Sequence, residues 1–193
     1  MRIISGKHRG RKLVTLEGMD VTRPTSDRVK EALFNILNNK ILDANVLDMF
    51  AGSGALGLEA ISRGAKQCVF IDSSSKAVNV IKKNIALCKE EAISQVINLD
   101  FKLALEKVKN IKFDVVFIDP PYLKDIEVSA LTFVSELLNE DAIVIVETDE
   151  TDEIKSPKTG DYGTSAVWMI MILAAGCASM LYLSERKNKK ANS

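Results

Sequence analysis

Apolar and β-branched residues occur along most of the chain in five short runs, and longer amphipathic segments separate these runs. Short apolar runs are typical of buried strands, and the segments between them have the spacing of helices. The runs lie at about residues 45–50, 68–72, 95–99, 113–118 and 142–147. This alternation predicts an α/β fold, a doubly wound, Rossmann-like parallel sheet that binds its ligands at the carboxyl ends of the strands.

A further helix is predicted ahead of the first strand. Thr25 and Ser26 can cap this helix, because their hydroxyls accept hydrogen bonds from the amides at a helix start. Its apolar positions are Val29, Leu33, Phe34, Ile36 and Leu37. The helix would connect the N-terminal segment to the sheet.

The composition is that of an ordinary globular protein, with 193 residues, 47% of them hydrophobic, and no net charge. The charge is nevertheless uneven, because the segment 1–30 contains eight Lys or Arg and three Asp or Glu. A polyanion is a candidate partner for this basic segment. Cys68, Cys88 and Cys177 fit neither a zinc site nor a disulfide framework, so we expect no metal and a reducing compartment. The N-terminus has no apolar export signal, which favours the cytoplasm.

The character of the chain changes after Ile154. Residues 155–163 are typical of a linker, residues 166–183 carry no charge, and the tail that follows is basic. Because a helix rises by about 1.5 Å per residue, the uncharged stretch with its flanks approaches the length of a bilayer-spanning helix. We therefore predict a folded domain over residues 1–155, and a linker, one transmembrane-like helix and a basic tail over 156–193. A buried or amphipathic C-terminal helix is the alternative.

A glycine-rich turn with Gly52, Gly54 and Gly57 follows the first predicted strand and opens a helix. Glycines permit a tight turn and let the backbone approach a ligand closely. With Asp72 at the end of the second strand, the pattern fits a nicotinamide dinucleotide as well as S-adenosylmethionine. Asp48 favours S-adenosylmethionine, because the ammonium of that ligand needs an acceptor and the ligand has no pyrophosphate.

Two acids at predicted strand ends are candidates for further contacts with this ligand. Asp72 could accept hydrogen bonds from the ribose hydroxyls, and Asp100 could accept one from the adenine amino group. For both residues the alternative is a helix cap or a solvated loop position.

The fourth predicted strand leads directly into Asp119-Pro120-Pro121-Tyr122. The prolines remove two amide donors, so the nearby carbonyl oxygens stay available as acceptors. Asp119 and a proline carbonyl could hold the two hydrogens of an exocyclic base amine and direct its lone pair toward a methyl sulfonium. Tyr122 would stack on a base that has left its helix or loop. A structural Pro-Pro turn with Asp119 as a helix cap is the alternative, and the motif leaves open whether RNA, DNA adenine or a small molecule carries the amine.

Together these motifs resemble the bacterial 16S ribosomal RNA guanine-N2 methyltransferase family of the RsmD type. The resemblance extends from residue 1 to about 154 and rests on residues 1–13, 23–36, 47–60 and 119–122. It implies that a monomeric enzyme transfers a methyl group from S-adenosylmethionine to N2 of one guanine, nucleotide 966, in the 16S ribosomal RNA of the small subunit.

The resemblance also implies roles for individual residues. Catalysis would fall to Asp119, Pro120, Pro121 and Tyr122. Cofactor binding would fall to Asp48, Phe50, Gly52, Gly54, Asp72 and Asp100, and RNA binding to Lys7, Arg9, Arg11, Arg23 and Arg28. The mechanism needs no base from His8, the only histidine.

The chain departs from this family after the fifth predicted strand, where the family has a final hairpin. We therefore predict that two strands are missing and that one sheet edge is exposed. Residues 156–160, the apolar stretch and the basic tail together resemble a Gram-positive sortase signal, which implies cleavage between Thr159 and Gly160 and contact with the membrane or a sortase. A wall-anchored surface protein with a passive α/β domain is the competing hypothesis.

Overall fold

Strands and helices alternate along the chain in the computed structural model, which describes residues 1–16, 27–120, 126–148, 169–174 and 180–184. The helices are α1 (Asp27–Leu37), α2 (Ala55–Ser62), α3 (Ser75–Cys88), α4 (Phe101–Lys107) and α5 (Ile126–Val134). The strands are β1 (Asn45–Met49), β2 (Gln67–Ile71), β3 (Ser94–Ile97), β4 (Phe113–Ile118), β5 (Leu138–Thr148), β6 (Met169–Ala174) and β7 (Met180–Ser184). The predicted α/β fold is confirmed, including the first helix and the five strands. Thr25 and Ser26, the predicted caps of that helix, lie outside the described ranges.

The described strands form one sheet in the order β3-β2-β1-β4-β5-β6-β7. Neighbouring strands from β3 to β6 are parallel, and β7 is antiparallel to β6. The chain runs outward from β1 to β3 and then returns to the other side of β1 to form β4. This reversal between β1 and β4 is the position at which doubly wound sheets bind their ligands.

Two hydrophobic clusters cover the two faces of the sheet. The first contains buried side chains of α1, α2 and α3, and the second contains those of α4 and α5. Successive residues of a strand point to opposite faces, so Val115 and Phe117 of β4 belong to the first cluster and Val116 and Ile118 to the second. Burial on both faces explains why these strands are continuous apolar runs in the sequence.

Residues 1–13 form the N-terminal hairpin, in which Arg2 and Lys12 pair as an antiparallel bridge. The Ile3 amide donates to the Arg11 carbonyl at 3.0 Å, and Ile3 and Leu13 are buried in the first cluster. The hairpin is therefore an ordered part of the fold that buries Ile3 and Leu13 and leaves its lysines and arginines exposed.

The C-terminal predictions need correction. Residues 169–174 and 180–184, predicted as parts of a transmembrane-like or buried helix, are strands β6 and β7, so the two strands predicted to be missing are present. Uncharged runs of this kind are compatible with buried strands as well as helices, and the open edge of β5 offers backbone partners to β6. Within the described ranges, no helix is long and apolar enough to cross a membrane. Thr159, Gly160 and the basic tail lie outside these ranges.

Candidate active site

The carboxyl ends of β2, β1 and β4 meet where the strand order reverses. The last residue of β1 is paired with the last residues of both β2 and β4. The residues that follow, Asp72, Phe50 and Asp119, therefore lie side by side, about 5 Å apart along the sheet. Three predicted site residues that are far apart in the sequence are thus brought to one edge.

Asp48, one residue further back on β1, adds a buried carboxyl to this edge. Its Oδ2 accepts a hydrogen bond of 2.9 Å from the Gly57 amide at the start of α2. The pKa of Asp48 is raised from 3.8 to about 8, mainly by burial. The negative charges of Asp119 and Asp72 contribute to this rise, and the hydrogen bond from the Gly57 amide opposes it. At neutral pH this carboxyl is mainly protonated, and a bound cation would favour its ionised form.

The glycine loop is held against the end of β2. The Gly52 amide donates to Asp72 Oδ2 at 2.9 Å, and the Ala51 amide donates to the Ile71 carbonyl at 2.9 Å. Gly54 precedes α2 with φ of 75°, in the left-handed region where glycine is favoured. The loop is therefore shaped by its own backbone and by one acid of the site.

Gly57 permits α2 to approach the sheet closely. A Cβ at this position would collide with the Phe70 ring and would lie 2.7 Å from Cys68 Sγ. The close approach also brings the Gly57 amide to Asp48. Gly57 thus has a packing role, in addition to the role near a ligand that the glycine pattern predicts.

Asp72 and Asp100 both accept hydrogen bonds from backbone amides of the protein. These are the loop and helix-cap roles that were the alternatives to ligand contacts. Asp72 Oδ1 accepts from the Ser74 amide at 2.8 Å, in addition to the bond from the loop. Asp100 caps α4 and accepts from the Lys102 amide at 3.0 Å. Carboxylate oxygens accept more than one hydrogen bond, so these contacts are compatible with the ligand contacts that remain predictions.

Three aromatic rings extend from the site toward the surface. The centroid of the Phe50 ring lies 5.4 Å from that of Phe101, which lies 6.2 Å from that of Phe133. Phe50 has φ of 65°, which is uncommon for a residue with a bulky side chain and marks local backbone strain. The rings give an apolar wall beside the acids.

The reaction motif is only partly described. Asp119 is half-buried and Pro120 is buried, while Pro121 and Tyr122 lie outside the described ranges. Asp119 follows β4, the neighbour of β1, and its charge is one of the causes that raise the pKa of Asp48. The next described helix, α5, begins at Ile126. The catalytic roles of the four motif residues remain predictions.

A buried carboxylate that was not predicted from the sequence attaches the N-terminal hairpin to α2. Glu59 is completely buried and accepts hydrogen bonds from the Ile4 amide at 2.7 Å and the Ser5 amide at 3.0 Å. It also pairs with Lys30 of α1 at 3.3 Å and Arg63 at 2.9 Å. A buried charge is tolerated when it is paired in this way, so the hairpin, α1 and α2 are joined through one side chain.

The tip of the hairpin has its own partners. His8 Nε2 lies 2.5 Å and Lys7 Nζ 2.8 Å from Glu90 Oε1. Burial alone would raise the pKa of Glu90, but the hydrogen bonds and charges of Lys7 and His8 outweigh burial, so the pKa is lowered. The His8 amide donates to Ser62 Oγ at 3.0 Å. His8 is thus part of the hairpin's attachment, and its imidazole is paired with an acid away from Asp119.

The predicted RNA-binding residues do not share one environment. Arg9 and Arg28 are exposed, and Arg28 lies in the first turn of α1. The Arg11 guanidinium donates to the Leu87 carbonyl at the end of α3. Arg23 lies outside the described ranges. In the part of the chain that the structure describes, no group of three or more His, Cys, Asp or Glu is arranged to hold a metal ion.

Comparison with known proteins places this site in a family. The family model described as "Conserved hypothetical protein 95" matches residues 1–166. Ribosomal RNA small subunit methyltransferase D of Haemophilus influenzae is 42% identical over 166 residues, which cover 82% of this chain and 83% of that protein. A putative rRNA methyltransferase of Bacillus subtilis, YlbH, is 38% identical over 163 residues, covering 82% of this chain and 87% of that protein.

Solved structures agree with this placement. The crystal structure of putative methylase HI0767 from Haemophilus influenzae is 32% identical, has a TM-score of 0.67 and covers 95% of each chain. The family match includes Thr159 and Gly160 and gives no support to the predicted sortase signal or membrane contact. These likenesses show that the chain belongs to the family described as conserved hypothetical protein 95 and is a methyltransferase related to the small-subunit ribosomal RNA enzymes.

Proposed function

We propose that this chain transfers a methyl group from S-adenosylmethionine to the exocyclic N2 amine of a guanine in the 16S ribosomal RNA of the small subunit. The observation that carries the proposal is the convergence of Asp48, Asp72 and Asp119 at the reversal between β1 and β4. The relatives named as ribosomal RNA methyltransferases support the substrate class. The reaction would take place in the cytoplasm, with the chain acting as a monomer.

The residues present fit S-adenosylmethionine, which supplies an electrophilic methyl group on a positively charged sulfur. A buried carboxyl whose pKa is raised to about 8 gains from a cationic partner, so Asp48 suits the ligand's ammonium. Asp72 lies at the end of β2, where it would accept from ribose hydroxyls, and Asp100 would accept from the adenine amine. Phe50 and Phe101 would pack against the adenine ring.

The acceptor side of the reaction falls to the motif that follows β4. Asp119 and a proline carbonyl would accept hydrogen bonds from the two N–H groups of the base amine. These bonds hold the amine with its lone pair directed away from the acceptors and stabilise the positive charge that develops on nitrogen. Tyr122 would stack on the base, which has to leave its loop or helix to reach this edge.

The N-terminal hairpin supports RNA as the carrier of the amine. Lys7, Arg9 and Arg11 belong to this hairpin, and all three are exposed. Its attachment through Glu59 keeps these cations in a fixed position relative to α2 and the glycine loop. A fixed set of cations is suited to phosphate contacts that orient the RNA, while base contacts select the nucleotide. We include Arg23 and Arg28 in this RNA-binding set.

The proposal is tested by methyl transfer from labelled S-adenosylmethionine to small ribosomal subunits that lack the modification. We expect Asp119→Ala to lower the rate on the order of 10²-fold, since it removes one acceptor of the amine. Glu106→Ala, at an exposed position of α4, serves as the control and should retain the rate of the unaltered protein. Mass spectrometry of the digested RNA should place the methyl group on N2 of guanine.

Two results would contradict the proposal. Equal rates for Asp119→Ala and the unaltered protein would remove Asp119 from the reaction. Methylation of DNA adenine or of a small amine, with no incorporation into the subunits, would assign the site to another carrier of the amine.

A further inference from the structure

The charges of the described residues are unevenly distributed, although residues 27–72 are nearly balanced, with five Lys or Arg and six Asp or Glu. Residues 1–16 and 73–89 contain nine Lys or Arg and no Asp or Glu. Residues 90–120 and 126–148 contain eleven Asp or Glu and four Lys. The nine cations come from the N-terminal hairpin and from α3 with its C-terminal cap, two segments that are far apart in the sequence.

The hairpin and the C-terminal half of α3 are in direct contact. Asn84 of α3 accepts from the Val14 amide at 2.8 Å and donates to the Val14 carbonyl at 2.9 Å. The Arg11 guanidinium donates to the carbonyl of Leu87, one turn further along α3. The cations of the hairpin and those of α3 therefore form one continuous basic surface.

Four lysines form the part of this surface that we call the α3 basic face. They are Lys76, Lys82, Lys83 and Lys89, and all four are exposed. Residues seven apart lie two turns along the same side of a helix, which groups Lys76 with Lys83. Lys82 precedes Lys83, and Lys89 is the residue that caps the C-terminus of α3. None of the four forms an ion pair with another described residue. Two acids follow Lys89 in the sequence: Glu90 is paired with Lys7 and His8, and Glu91 is exposed.

The α3 basic face begins next to the candidate active site. Helix α3 starts at Ser75, three residues after Asp72 at the end of β2, and runs for 14 residues. Because a helix rises by about 1.5 Å per residue, α3 is about 20 Å long. The lysines therefore lead from the edge of the site, at Lys76, to the N-terminal hairpin, at Lys89.

We infer that the α3 basic face binds the phosphate backbone of RNA outside the target nucleotide, as a continuation of the hairpin's cations. The inference rests on the proposed function and extends its RNA interface beyond the residues assigned there. Exposed lysines that form no ion pair with another described residue suit backbone phosphates, because such contacts need charge and reach but no base recognition. The face positions the RNA and takes no part in methyl transfer itself.

The test compares Lys82→Gln/Lys83→Gln with a control that removes two exposed lysines elsewhere, Lys107→Gln/Lys109→Gln. Affinity for 16S ribosomal RNA is measured as a function of salt. Each phosphate contact contributes about 0.7–0.9 to the slope of log affinity against log salt, so loss of two contacts should reduce the slope by about 1.5. Affinity at about 0.1 M salt should fall on the order of tenfold. The control, which makes the same change in net charge, should behave as the unaltered protein.

The methyl-transfer assay supplies a second readout. The α3 variant should have a raised KM for small subunits and an unchanged kcat at saturating RNA, and its affinity for S-adenosylhomocysteine should not change. A salt slope and KM equal to those of the unaltered protein would overturn the inference, and so would an equal loss in the control.

The assays separate this inference from the proposed function. If the unaltered protein methylates no RNA, the proposed function fails, whatever the lysine variants do. If it methylates the subunits and the α3 variant matches it in every readout, only the inference fails. Binding of anionic phospholipid vesicles that is lost in the α3 variant while RNA affinity is unchanged would assign the face to a membrane surface and overturn the inference.

Discussion

The side-chain amide of Asn84 donates a hydrogen bond of 2.9 Å to the carbonyl oxygen of Ser53 in the glycine loop. The same buried side chain bonds to both the amide and the carbonyl of Val14, where the chain leaves the N-terminal hairpin. One residue of α3 thus joins the loop proposed to hold the methyl donor to the segment proposed to meet RNA.

Replacement of this amide by a carboxylate should affect both segments. Asn84→Asp removes the donor and turns an acceptor toward the carbonyls of Val14 and Ser53, so we expect a loss of about 1–3 kcal/mol in the free energy of unfolding. S-adenosylhomocysteine should bind more weakly, and KM for small subunits should rise. Asn79→Asp, at an exposed position of the same helix, is the matched control for denaturation and calorimetry. Unchanged stability of the Asn84 variant would rule out the structural importance of these bonds.

The raised pKa of Asp48 predicts that ligand binding releases a proton. The carboxyl is mainly protonated below about pH 8 in the free protein, and the ammonium of S-adenosylhomocysteine should favour its ionised form. Affinity should therefore rise between pH 6 and pH 8 by up to about tenfold per pH unit, and level off above pH 8. Calorimetry in two buffers of different ionisation enthalpy measures the proton release. Asp48→Asn should show no such release, and an affinity independent of pH in the unaltered protein would contradict the assignment.

The same carboxyl predicts how stability depends on pH without ligand. Since the pKa of Asp48 is higher in the folded state than its ordinary value of 3.8, the unfolded chain binds fewer protons between these values. The contribution of Asp48 is therefore most favourable below about pH 4 and is lost as the pH rises toward 8. Denaturant unfolding of Asp48→Asn should show a smaller decline over this interval than unfolding of the unaltered protein. Parallel curves for the two proteins would show that Asp48 does not titrate in this range.

Close packing at Gly57 predicts a penalty for the smallest possible side chain. Gly57→Ala would press its methyl group against the Phe70 ring and Cys68 Sγ, at a cost of about 1–3 kcal/mol in stability. It should also weaken S-adenosylhomocysteine binding, because α2 and its Gly57 amide would shift away from Asp48. Gly10→Ala is a useful comparison, since that site has open space around a Cβ but a φ of 81°. Gly10→Ala should lose stability only through backbone strain, and its affinity for S-adenosylhomocysteine should be unchanged.

The buried carboxylate of Glu59 predicts a large loss of stability when its charge is removed. Glu59→Gln leaves the ammonium of Lys30 buried without its carboxylate, which costs about 3–5 kcal/mol in comparable buried pairs. The double variant with Lys30→Met should recover part of that loss, since the unpaired charge is removed as well. Glu106→Gln, at an exposed position of α4, is the control in the same denaturation experiments. A double variant less stable than either single variant would argue against this account of the pair.

Much of the sheet could be predicted from the sequence because parallel strands are buried on both faces and appear as continuous apolar runs. The site edge followed from the same pattern, since Asp72 and Asp119 end two of those runs. Glu59 was not recognisable in this way, because its partners, the amides of Ile4 and Ser5, belong to a segment that is distant in the sequence. The prediction of a helix over the C-terminal stretch was wrong, because an uncharged run fits a membrane-spanning helix as well as two paired strands.

The separation of charge between the hairpin with α3 and the rest of the described chain has a consequence for kinetics. A molecule with cations gathered at one part and acids at another is turned by the field of a polyanion before contact is made. Association with a ribosomal subunit should then be fast at low ionic strength, and its rate should fall steeply as salt is added. The reason is that salt screens interactions between charges that are more than about 10 Å apart. The orientation in which the enzyme meets its substrate would thus be set partly by the charge pattern of its surface.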